Sequence, residues 1–146
     1  MAAGVDFVVI GGIAVLLHGY PRNTRDLDIA FAYDEANLKA LGGVLVDLGA
    51  ELRDVDAPLP FVPDEQTLRG IELLTLQTTA GWLDVQRRTP GVASYEKLRR
   101  GAVRVDLDGF TVLVAGADDL IAMKRTAGRP QDLIDIAALE AIKRLR

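Results

Sequence analysis

Residues 21–31 read Pro-Arg-Asn-Thr-Arg-Asp-Leu-Asp-Ile-Ala-Phe, PRNTRDLDIAF. Leu27, Ile29 and Phe31 alternate with Asp26, Asp28 and Ala30, the period-two pattern of a strand with one face in the core. Alternate strand residues point the same way, so Asp26 and Asp28 share a face, about 7 Å apart. Like charges that close raise the cost of ionising both unless a cation lies between them. Two such carboxylates can converge on one or two hard divalent cations, and Mg²⁺ often shares its oxygen shell with substrate phosphates. The competing reading is an exposed edge strand on which the pair is incidental, because short motifs match often by chance.

Two further features bear on that choice. Asp84 lies in WLDVQ, among Trp82, Leu83 and Val85. An aspartate on an otherwise apolar strand is unfavourable unless it is paired or metal-bound. If that strand neighbours residues 26–32, Asp84 completes a three-carboxylate cluster and can take a proton from an attacking hydroxyl. Upstream, Gly11-Gly12 follows the apolar run VDFVVI. Backbone amides at a helix start can hold phosphate oxygens, and glycine allows close approach; a plain tight turn is the alternative. Arg22, Thr24 and Arg25 precede the aspartates, where a guanidinium and a hydroxyl could grip a polyphosphate.

The rest of the chain reads as mixed α/β, a small mixed sheet with flanking helices and two C-terminal helices. Strands are expected over 5–10, 26–32 and 51–55, and hairpins over 72–88 and 103–115, turning near Thr79-Ala80-Gly81 and Asp108-Gly109. A short buried helix should follow the Gly11-Gly12 break. Asp34 suits the N-cap of a helix over 35–48 closed by Gly49, and Ser94 that of a helix through Arg100. Residues 56–66, with three prolines, read as an exposed loop. Helices over 117–127 and 131–145 flank the Gly128-Arg129-Pro130 break. The whole forms one domain, with 1–115 as sheet and helices and 116–146 as a C-terminal helical pair.

Lys124 stands out in the first of these helices. Ala117, Leu120, Ile121 and Lys124 share a face by i, i+3, i+4, i+7 spacing. A lysine on an apolar face either snorkels to water or reaches an anion. Asp132 is a favourable charge at the start of the last helix. His18, the single histidine, is expected to be structural in the turn before Gly19, and Trp82 to be core.

The chain has 146 residues, 49% hydrophobic and 26% charged, an ordinary globular composition. It has no cysteine, which excludes disulfides and zinc–thiolate sites. The N-terminus lacks the basic start of a signal peptide, and the apolar stretch from Val5 to Leu17 is too short to span a bilayer; a cytoplasmic protein without membrane association is expected. The net charge is −4. Residues 1–86 hold 5 Lys/Arg and 13 Asp/Glu, a balance of −8, and residues 87–146 hold 12 and 8, a balance of +4. The acidic total argues against a generic nucleic-acid binder, while the basic third is either a solvated surface or a place for phosphates.

Taken together, VVIGGIAVLLHGYPRNTRDLDIAF resembles the nucleotidyltransferase superfamily, the polymerase-β-like fold. It is most similar to a small bacterial branch related to abortive-infection and toxin–antitoxin nucleotidyltransferases. The resemblance is strongest over residues 8–31 and extends through LDVQRR and DLIAMKRTAGRPQDLIDI. It implies an NTP-using enzyme with two Mg²⁺ ions, or Mn²⁺. It assigns the metal to Asp26, Asp28 and Asp84, and the nucleotide to Gly11, Gly12, Arg22, Thr24 and Lys124. Asp132 and Arg129 become further candidates, with Asp132 positioning Lys124 or Arg129. The acceptor hydroxyl could belong to a tRNA 3′ end, a protein or a small molecule, and an antitoxin partner or a homodimer is compatible with the branch. The alternative is a non-catalytic nucleotide-binding or partner-binding module of the same fold.

Overall fold

Phe7–Ile10 is an unbroken apolar run, and strand β1 buries all four of its residues. A computed structural model of the protein describes residues 4–53 and 64–145. Helix α1, Gly11–Leu17, follows β1 without a linker, so the two glycines are its first turn rather than a break before it. Strand β2, Asp26–Phe31, then returns antiparallel to β1, which sets Ile10 opposite Asp28. Gly11 therefore sits beside Asp28.

Helix α2, Glu35–Asp47, starts where expected, with the Asp34 carboxylate accepting from the Asn37 amide at 2.9 Å. Gly49 closes it with a φ of +62°. Strand β3 is only Glu51–Leu52. Residues 54 and 55 of the expected strand, and most of the expected proline loop, lie outside the described residues. The end of that loop is helical instead: Asp64 accepts from the Thr67 amide and caps helix α3, Glu65–Gly70. The nearby prolines masked this capping signal.

Strands β4, Leu73–Thr78, and β5, Gly81–Gln86, form the first hairpin. Ser94 caps helix α4, Tyr95–Arg100, through the Lys97 amide. Strands β6, Val103–Leu107, and β7, Phe110–Val114, form the second hairpin. Its turn residues Asp108 and Gly109 both have positive φ, 50° and 100°, as a two-residue turn that follows the strand twist requires. Helices α5, Ala117–Ala127, and α6, Pro130–Arg144, are separated by a left-handed Gly128, with Pro130 opening α6.

The seven described strands form one mixed sheet in the order β3-β4-β5-β2-β1-β7-β6. The pairs β2–β5 and β1–β7 are parallel and the others antiparallel. The β2–β5 register is the consequential one, because it pairs Asp26 with Trp82, Asp28 with Asp84 and Ala30 with Gln86. Ile29 and Phe31 are buried on the opposite face, as their alternation with the aspartates predicts. Ala30 is buried too, so both faces of the sheet are covered at that end of β2. No helix among the described residues is long and apolar enough to cross a membrane.

Gly11 is the tightest point of this arrangement. Its φ is +70°, and a Cβ there would meet Asp28 Oδ2 at 2.1 Å. Gly11→Ala is expected to cost about 2 kcal/mol or more in chemical denaturation, from left-handed strain and a displaced Asp28. Gly43→Ala, on an open face of α2 where a Cβ meets nothing within 4 Å, should instead stabilise by roughly 0.5–1 kcal/mol.

Candidate active site

The β2–β5 register places Asp28 and Asp84 side by side. Burial is the main influence on Asp28 and raises its pKa; Asp84, by charge and hydrogen bond, and Asp26 raise it further, against a smaller opposing pull from Lys124. The result is a carboxyl that titrates at about 7. These groups line a cavity of about 440 Å³. Its lining combines Asp26, Asp28 and Asp84 with Gly11 and Lys124 and with the apolar Leu73, Leu120 and Met123. Arg129 and Asp132 also reach it.

Gly12 lies just outside, where a Cβ would come within 2.9 Å of Thr24 Oγ1 and 3.3 Å of Arg22 Cζ. Thr24 Oγ1 bonds its own loop at the Asp26 carbonyl, 3.4 Å away. Arg22, expected to grip a triphosphate, is instead ion-paired with Asp135. Neither Arg22 nor Thr24 lines the cavity. Both brace the glycine turn from behind.

Lys124 does not snorkel. It is buried, with its Nζ 2.9 Å from Asp135 and 3.4 Å from Asp132. Asp132 joins both candidate partners, since it also accepts from Arg129 Nε at 2.7 Å and from the Arg129 amide at 3.0 Å. Burial pushes the Asp132 carboxyl up, but its Arg129 bonds and the charge of Lys124 outweigh this and hold it below the ordinary range. Asp135 is fully buried between Lys124, Arg22 and Gln131. The sequence reading passed over it, although a signal was present. Asp132, Asp135, Ile136 and Leu139 are the buried residues of α6 at i, i+3, i+4 and i+7, so two carboxylates occupy an apolar face opposite the lysine that does the same on α5.

His18 has the structural place expected of it, buried with Nε2 2.8 Å from the Ala115 carbonyl. Trp82 departs from expectation. It is 38% exposed rather than core, with the guanidinium of Arg53 4.8 Å and that of Arg25 5.7 Å from its ring centroid. Arg53 was not legible as a site residue. Its Nη2 lies 2.8 Å from Asp84 Oδ1 and 3.7 Å from Asp26 Oδ2.

A family model described as "Nucleotidyltransferase of unknown function (DUF6036)" matches residues 2–146. The chain belongs to that family. It is therefore a nucleotidyltransferase, an enzyme of the EC 2.7.7 type. No curated protein matches it. Among solved structures, the fold is similar to the lincosamide antibiotic adenylyltransferase LnuA in its lincomycin-bound form. There the TM-score is 0.60 at 18% identity, over 94% of this chain and 87% of that one. It is also similar to the antibiotic-resistance factor ANT(2'')-Ia, with a TM-score of 0.59 at 13% identity, over 99% and 84%. A third likeness is to TM1012 from Thermotoga maritima, titled a putative nucleotidyltransferase, with a TM-score of 0.51 at 14% identity, over 97% and 82%.

Two measurements test this description. An acid whose folded pKa lies above its unfolded value costs stability as it ionises. With divalent metal chelated, stability should therefore fall as pH rises from the ordinary carboxylate range through about 7. In Asp28→Asn, denaturation midpoints should lose that decline. Asp135→Ala leaves Arg22 without its buried partner and Lys124 with Asp132 alone, and should cost about 3–5 kcal/mol by urea denaturation.

Proposed function

We propose that this nucleotidyltransferase is Mg²⁺-dependent and moves a nucleoside monophosphate from an NTP to the hydroxyl of a small-molecule acceptor. The observation that supports this most is the Asp28–Asp84 pairing on adjacent parallel strands, with Asp26 one position away on the same face. Among the described residues no three His, Cys, Asp or Glu side chains converge on one metal-sized point. The donor chemistry nevertheless fits a divalent cation. The three groups are hard oxygen donors, two of them are pressed together at a like-charge cost, and Arg53 already stands against Asp84 and Asp26 as a cation. Asp26, Asp28 and Asp84 would hold the metal, and Mn²⁺ should substitute for Mg²⁺. When bound, such an ion supplies positive charge to the phosphate oxygens and the leaving pyrophosphate.

The chain's own groups divide the remaining work. Gly11 presents backbone without a Cβ at the start of α1, where a triphosphate can approach closely. Lys124 offers a buried positive charge on the cavity side, oriented by Asp135 and Asp132. Arg129, held by Asp132, extends that charge to the rim. Asp84 takes the proton of the attacking acceptor hydroxyl. The acceptor oxygen bonds to the α-phosphorus as the bond from that phosphorus to the bridging oxygen breaks, and pyrophosphate leaves with the electron pair.

The cavity supports a small acceptor. Its volume of about 440 Å³, with a lining of both carboxylates and apolar side chains, suits a compact molecule with an apolar body. Two of the similar folds are titled with antibiotic substrates or products, lincomycin and adenylyl-2''-tobramycin. A tRNA 3′ end is the second reading, favoured by the +4 balance of residues 87–146. A toxin role and an antitoxin partner go with that reading, and a cytoplasmic setting goes with either.

The test is label transfer from each of the four α-labelled NTPs, with Mg²⁺, to a panel of hydroxylated small molecules and to total tRNA. Transfer to a small molecule, reduced at least about a hundredfold in Asp26→Ala or Asp28→Asn (~2.7 kcal/mol of transition-state stabilisation), is the expected result. Transfer confined to tRNA replaces the acceptor with the second reading. NTP binding with no transfer to any acceptor would show a nucleotide-binding module instead.

A further inference from the structure

Arg53 directly follows β3, the edge strand of the sheet, but acts two strands away. Its amide donates to the Thr75 carbonyl at 3.0 Å, and its Nη1 donates to the Leu76 carbonyl at 3.1 Å. The side chain thus crosses β4 and delivers Nη2 to Asp84 on β5 and towards Asp26 on β2. Its guanidinium stacks on Trp82, and the side chain is only 9% exposed. This is a fixed cation in the midst of the carboxylates, and a guanidinium cannot lose its charge by deprotonation.

We propose that Arg53 is a displaceable counter-cation: it neutralises Asp84 and Asp26 in the metal-free protein and leaves Asp84 when a divalent ion takes that carboxylate. The inference rests on the reading above that these aspartates hold metal. Two observations meet in it. Asp84 Oδ1 accepts from Nη2 at 2.8 Å, so a divalent ion arriving at that carboxylate meets the fixed guanidinium charge at close range. The nearest other buried cation, Lys124, is already held by Asp135 and Asp132. Removing Arg53 therefore leaves the carboxylates with their mutual repulsion, which a metal relieves. The alternative role, a clamp that orients Asp84 for the metal, predicts the opposite sign.

Trp82 makes the exchange visible, because it is the only tryptophan in the chain and Arg53 lies on its ring. The experiment uses the full chain without nucleotide, at pH 8. Mn²⁺ affinity is read by electron paramagnetic resonance and calorimetry, and Trp82 fluorescence is followed during Mg²⁺ titration. Arg53→Gln should bind Mn²⁺ about tenfold more tightly than the unaltered protein, within the usual range of coupling between sites. Arg53→Lys, which keeps a charge but not the planar fork, should fall between them. The unaltered protein should show a Mg²⁺-dependent change in Trp82 emission that Arg53→Gln lacks although it binds metal. Equal or weaker Mn²⁺ binding by Arg53→Gln with an intact far-ultraviolet circular dichroism spectrum overturns the proposal. If that variant does not fold, Mn²⁺ binding by Arg53→Lys no tighter than that of the unaltered protein overturns it equally. Asp28→Asn separates the two levels: if it binds Mn²⁺ like the unaltered protein, or if the unaltered protein binds none, the metal reading itself fails.

Discussion

The parallel pairing of β2 with β5 forces Asp28 and Asp84 together, and the rest of the site is arranged around that repulsion. Sheet hydrogen bonds fix the register, and a slip of one residue would turn every side chain of β2 to the other face. Ile29 and Phe31 would then leave the core, so hydrophobic burial holds the two acids in a contact they would otherwise avoid. Burial first, and then this contact, raises the pKa of Asp28. Such a cluster in a cavity is the ground on which a divalent cation is proposed here.

Around it the charges are segregated. On the sheet side Arg53 faces the carboxylates. On the helical side Lys124, Arg22 and Arg129 are each bound to Asp132 or Asp135. Buried ion pairs of this kind add little net stability, because desolvation offsets their attraction, but losing one partner is costly. Their value here is positional. Gly128 and Pro130 fix the angle between α5 and α6, and the buried acids of α6 then hold the Lys124 ammonium at the cavity wall.

Much of this was legible in the sequence because it depends on local rules. Alternation gave the face of Asp26 and Asp28, the caps at Asp34 and Ser94 marked helix starts, and Asp108-Gly109 marked a hairpin. Asp84 was legible as an anomaly, an acid on an apolar strand, though only the sheet order could supply its neighbour. Helical periodicity singled out Lys124 and the family resemblance added Asp132, but the same periodic reasoning applied to α6 would also have found Asp135. Arg53 was beyond reach. Its role depends on β3, β4, β5 and β2 lying in that order, a non-local fact that no window of sequence contains. Trp82 was misplaced for a related reason: on its own strand it looks apolar, but its register partner is Asp26, at the solvent-facing end of the acidic face.

The glycine at position 11 connects the electrostatics to the chemistry. A β-carbon there would occupy the space of the Asp28 carboxylate, so the absence of a side chain is what lets the acid come up against the helix start. The first turn of α1 has no acidic residue and no side-chain cap. In the proposed reading its backbone N–H groups would serve phosphate oxygens beside the carboxylates that would hold a metal. A polyphosphate placed there bridges both, because the metal that relieves the carboxylates also binds phosphate. If the proposed site holds, substrate and metal strengthen each other's binding, and Arg53 is the cation they would displace.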